Sequence, residues 1–142
     1  MGMLCIFISI ATFAQSHGEK PALFSAYPVS LNISESIFQE IFGLSANQET
    51  VLHFTSNFSF PCKVLRNEVK YSNMQTVIIR SSAFDNAMMQ VTKITNRDQS
   101  VTYKGRIINE RSADGFEIMK TEAGIYQLKK FETDHILEPC FQ

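Results

Sequence analysis

Tryptophan is absent from this 142-residue chain, and glycine, proline and histidine are scarce at 6, 4 and 3. The glycines are scattered, with no Gly-rich run to cradle a phosphate. Three cysteines occur without any Cys-x-x-Cys spacing, so a zinc ribbon or a dithiol redox centre has no framework. Net charge is only −1, which removes any global attraction to nucleic acid or an anionic membrane. The longest apolar run, Met3–Ala14, falls short of the roughly 20 residues that a membrane-spanning helix needs. Asp-rich calcium loops and a Gly-x-Ser-x-Gly elbow are also missing.

What is present is globular composition, 44% hydrophobic and 19% charged, with 12 phenylalanines. The length suits one domain with a single core. Met3–Ala14 matches the apolar region of a signal peptide, and the small residues Thr12 and Ala14 place cleavage before Gln15. No Lys or Arg precedes that run. The expected organisation is a signal peptide at 1–14, an extended lead-in arm at 15–31 and one domain at 32–142, secreted or periplasmic. Removal of the signal leaves Cys62 and Cys140, and an exported chain permits a disulfide between them. Closing so long a loop would stabilise by about 4 kcal/mol in the chain-entropy model.

The arm is punctuated by Gly18, Pro21 and Pro28, with Leu23, Phe24 and Tyr27 available to dock it. Asn32–Leu44 carries the one convincing helical pattern. Ile33, Ile37 and Ile41 recur every four residues beside Phe38 and Phe42, Ser36 with Gln39 matches a capping box, and Gly43 supplies a stop. From Val51 the apolar period becomes two. Strands are expected over 51–60, 64–71, 75–81, 87–95, 100–109, 116–121 and 124–132, with Pro61 marking an edge or bulge. Asp114-Gly115 reads as a turn. The expected fold is therefore mainly β: one N-terminal amphipathic helix on an up-and-down antiparallel meander of about seven strands. The helix would cover a curved sheet or plug a partly open barrel.

Charge is uneven along the meander. Residues 61–111 carry a net +5, and the segments 15–60 and 112–142 each carry −3. This pattern suits charge matching between strands, or a patch for an acidic partner or glycan. Arg80, Lys104 and Arg106 are the candidate contacts. Candidate chemistry is thin. His53 lies in a strand, His17 in the arm and His135 in the tail, and Cys62 follows a proline. No triad, cofactor motif or metal-ligand set emerges, so no enzyme, cofactor or metal is expected. Lys104-Gly105-Arg106 lacks the aromatic positions of an RNA-binding strand, so no nucleic acid is expected either. Asn32-Ile33-Ser34 and Asn57-Phe58-Ser59 match glycan acceptors, which count only in a eukaryotic secretory route.

Four stretches are similar to uncharacterised small secreted bacterial proteins: Thr76-Val77-Ile78-Ile79-Arg80, Tyr103-Lys104-Gly105-Arg106-Ile107, Gly115-Phe116-Glu117-Ile118 and Tyr126-Gln127-Leu128-Lys129-Lys130. The resemblance covers residues 75–131 and implies β architecture and an exported location, with no activity attached. The expectation is a secreted, non-catalytic binding module contacting a protein or glycan through its basic central strands. A carrier for a small apolar ligand, with the helix as lid, is the alternative, as is an inhibitor or pro-segment-like partner of a secreted enzyme acting through the arm. No stable membrane insertion is expected once the signal is removed, and a homodimer through a sheet edge is open to the chain.

Overall fold

Strict alternation of apolar residues produces one antiparallel sheet that curls into a half-barrel. The computed structural model describes residues 19–133. Its elements run β1 (Ser30–Ile33), α1 (Ser36–Gly43), β2 (Glu49–Thr55), β3 (Phe58–Tyr71), β4 (Met74–Ser81), β5 (Met88–Thr95), β6 (Val101–Ile108), β7 (Asp114–Lys120) and β8 (Tyr126–Glu132). The strand order is β1-β8-β7-β6-β5-β4-β3-β2. Strands β2 to β8 therefore form the expected meander. The eighth strand, β1, precedes the helix and closes onto the far side of β8, with Ser30 opposite Lys129 and Ile33 opposite Tyr126.

That extra strand corrects the expected helix start. Asn32 and Ile33 belong to β1, and α1 begins at Ser36. Ile33 fits a four-residue helical spacing by coincidence; as a β-branched residue it pairs with Tyr126 and is buried. The capping box does not form. Glu35 stands at the N-cap without a side-chain bond, and Ser34 Oγ instead accepts the Ser36 N–H at 3.3 Å. At the other end, Asn67 of β3 donates from Nδ2 to the Leu44 and Phe42 carbonyls at 2.7 and 3.1 Å. Gln75 of β4 holds Asn67 Oδ1 at 2.7 Å. Carbonyls that every helix leaves open are thus satisfied by the sheet beneath.

Three strand expectations also change. The run 51–60 is two strands, broken by a turn at Ser56-Asn57. Pro61 lies inside β3, between β2 and β4, and not at an edge. Its carbonyl accepts from Ser82 N–H at 3.0 Å just past the end of β4, and Pro61 has no N–H to return, so the missing bond falls at the end of that ladder. Asp114-Gly115 starts β7 and is not a turn. A side chain on Gly115 would meet the Phe131 ring at 2.8 Å, so the glycine makes room for an aromatic across the strand pair.

The concave face is filled by its own rings. Phe58, Phe60, Phe116, Ile107, Val77, Ile79, Met89 and Leu128 point inward and are fully buried. Helix α1 presses Phe38 flat on Tyr103 at 4.2 Å and edge-on to Tyr126 at 5.0 Å. The arm docks as its composition suggests. Phe24 is fully buried between Phe116, Phe84 and Phe58, at 5.1, 5.2 and 6.3 Å. Its N–H donates to both oxygens of the buried Asp114 at 3.2 Å, and Ser112 Oγ donates to the same carboxylate at 2.8 Å.

Candidate functional site

The three candidate cations lie on the outer face of the sheet, opposite the core. In β4, Val77, Ile79 and Ser81 are buried, which turns Thr76, Ile78 and Arg80 outward. In β6, Ile107 is buried and Gly105 pairs with the core residues Val91 and Ile118, so Lys104 and Arg106 face out. Cross-strand register then sets their neighbours. Arg80 pairs with Met88, which pairs with Ile108. Ile78 pairs with Gln90, Gln90 with Arg106, and Arg106 with Glu117. Thr76 pairs with Thr92, and Thr92 with Lys104. Arg80 and the β6 cations are two strands apart, about 10 Å between backbones.

This face holds an open groove of about 840 Å³, a volume within the range of ligand sites. Ile78, Met88, Ile108 and Met119 supply apolar surface, and Lys104 and Arg106 supply charge. Arg80 stands beside the groove through its pairing with Met88. Ile108 and Met119 are each 43% exposed. Gly105 also lines the groove. A Cβ there would overlap the Gln90 carbonyl oxygen and touch Ile118 Cδ1 at 3.0 Å, so β5 and β6 approach each other more closely at this point than a side chain permits.

Electrostatics leave the cations available. Arg106 reaches Glu117 at 3.6 Å with both side chains about half exposed, a geometry of little net value. Arg111, elsewhere, is committed to Asp85 at 2.9 Å. Lys120 lies over the Tyr126 ring at 5.2 Å. Asp98, in the β5–β6 loop, is held below the usual carboxylate range by hydrogen bonds from Ser100, at 2.6 Å from Oγ and 3.0 Å from N–H. Burial, aided by the charge of Glu35, raises the Tyr103 phenol.

Among the described residues, the candidate nucleophile Cys62 and base His53 do not converge. Cys62 faces the core, and desolvation pushes its thiol up to about 11, so thiolate is scarce at neutral pH. His53 is on the outer face, where Nδ1 meets Ser59 Oγ at 2.9 Å, away from Cys62. His17 and His135 lie outside the described residues. The expected Cys62–Cys140 bridge is not seen: Cys62 is a free, buried thiol, and Cys140 lies outside the described residues. The segment 1–14 lies outside them as well. Among the described residues, no cluster of three or more His, Cys, Asp or Glu could hold a metal, and no helix is long and apolar enough to cross a membrane.

Sequence reasoning missed two buried polar sets, Asn67 with Gln75 and Ser112 with Asp114. Asn67 sits in the inward phase of β3, a position where an amide must find partners. That phase was its signal. Against family models, curated proteins and solved structures alike, the chain finds no match.

Proposed function

We propose that this chain is an exported, non-catalytic binding module that receives an acidic partner on the outer face of β4–β7. One observation carries the reading. Arg80, Lys104 and Arg106 share that face with exposed apolar side chains around one groove. Basic strands arranged only for charge matching would meet acids on the neighbouring strands. Here Arg106 meets an acid in register, Glu117, at a long 3.6 Å, whereas the register partners of Arg80 and Lys104 are Lys63, Met88 and Thr92. Secretion or periplasmic residence rests on the signal-like run Met3–Ala14. The ring packing of the concave face favours the outer face over an interior carrier site.

The test is titration of the protein with two polyanion probes, heparin and poly-glutamate, followed by the triple variant Arg80→Ala/Lys104→Ala/Arg106→Ala. Saturable binding to at least one probe, lost in the variant, is expected. All three side chains are solvent-facing, so the variant keeps its fold. Binding that survives the triple replacement unchanged removes this face as the site.

A further inference from the structure

We infer that the groove on the outer face takes an extended acidic peptide that carries carboxylates and apolar side chains on the same face, in preference to an acidic glycan. The inference rests on the outer face being the binding face, and narrows what binds there.

The surface chemistry argues for a peptide. Sugar rings bind by stacking on open aromatic faces, and this groove offers none. Tyr103 contributes to its lining, but its ring is on the other side of the sheet, stacked on Phe38. What the groove exposes is aliphatic and thioether surface: Ile78, Met88, Ile108 and Met119. Methionine and isoleucine side chains suit the side chains of an apolar peptide, and methionine adapts to several shapes. Ile108 and Met119, each 43% exposed, offer surface that apolar side chains of a peptide would cover.

Charge and spacing point the same way. Thr102, Lys104, Arg106 and Ile108 form one outward row along β6. Neighbours in such a row are about 6.7 Å apart, the same-face spacing of any extended chain. A peptide lying along β6 would set alternate carboxylates against Lys104 and Arg106 and reach the Met88–Ile108 surface at one end. Arg106 is ready to exchange partners, because its contact to Glu117 is long and solvated. Lys104 faces Thr92 and makes no ion pair with another described residue. Across the groove, Gln90 pairs in register with Arg106 and offers both a donor and an acceptor to a peptide backbone.

A second recess among the described residues lacks this match. The space of about 470 Å³ beside the arm is lined by Lys130, whose ammonium donates to the Tyr27 carbonyl at 2.6 Å.

The experiment measures fluorescence anisotropy of a labelled heptapeptide with glutamate at its first and third positions, leucine at its fifth and seventh and serine between, so that both kinds of side chain share one face of the extended chain. A glutamate–serine heptapeptide and fluorescent heparin are measured alongside. Two variants are compared with the parent: Ile108→Ser/Met119→Ser, and the triple alanine variant. The glutamate–leucine peptide is expected to bind at least about tenfold more tightly than the glutamate–serine peptide, and to lose about that factor in the serine variant. Heparin, if it binds, is expected to ignore the serine variant. Equal binding of the two peptides, or a serine variant that binds the leucine peptide like the parent, overturns the peptide inference. The outer face stands in that case if triple alanine still abolishes heparin binding. If triple alanine changes no probe, both readings fall.

Discussion

Replacing Phe24 by alanine should remove a large part of the stability of this protein, although Phe24 belongs to a lead-in arm and not to the sheet. The ring is fully buried and touches Phe116, Phe84 and Phe58. Truncating a buried phenylalanine costs about 3–5 kcal/mol when the cavity cannot collapse. Collapse is hindered here, because three anchors that do not involve the ring hold the arm in place. Phe24 N–H stays on Asp114, Leu23 N–H on Ser112 Oγ at 3.2 Å, and Ala113 N–H on the Pro21 carbonyl at 3.0 Å. A domain of this size holds about 5–15 kcal/mol in total, so the loss is about a fifth or more. In urea, with a slope of about 2 kcal/mol per molar, the unfolding midpoint should fall by about 2 M at unchanged slope. A loss below about 1 kcal/mol would show that the arm is not part of the core. A reduced slope would point to an arm that detaches before the sheet unfolds.

Gly105→Ala should destabilise by about 1–3 kcal/mol, read as a lowered melting temperature, because the new methyl overlaps the Gln90 carbonyl and a backbone atom in a ladder cannot step aside. Native Cys62 should resist iodoacetamide at about pH 8 and react in denaturant without prior reduction; a need for reductant would reveal a bridge. Its raised thiol also sets a sign for pH. The folded chain holds that proton more tightly than the unfolded one, so this contribution is complete below 9.0 and is lost as pH rises through about 11. Cys62→Ala should flatten that alkaline decline in urea midpoints, and an unchanged decline would refute the assignment.

How much of this was legible depended on whether one residue had one role. β4, β5 and β6 were read to within a residue because Val77, Ile79, Met89, Val91 and Ile107 alternate without interruption. The outward placing of Arg80, Lys104 and Arg106 follows from the same alternation. The hairpin at Ser56-Asn57 was hidden. A register shift between His53 and Thr55 keeps Phe54, Phe58 and Phe60 all inward, and this imitates one continuous strand. Ile33 satisfied two periods at once, and only its pairing with Tyr126 decides between them. Asp114-Gly115 has turn composition, yet the aspartate holds a distant backbone N–H and the glycine clears a ring. The groove itself was not legible. It is a product of the three-dimensional shape of the sheet, which no local pattern encodes.

Strand order has a consequence for how the molecule comes into being. The first strand, β1, has its ladder partner in the last: Ser30 waits for Lys129, and Phe24 waits for Asp114. Contacts so distant in sequence form slowly, because the intervening loop must close first. A chain emerging vectorially from a ribosome therefore carries its arm, β1 and the arm-facing side of its core unsheltered until residue 129 has been made.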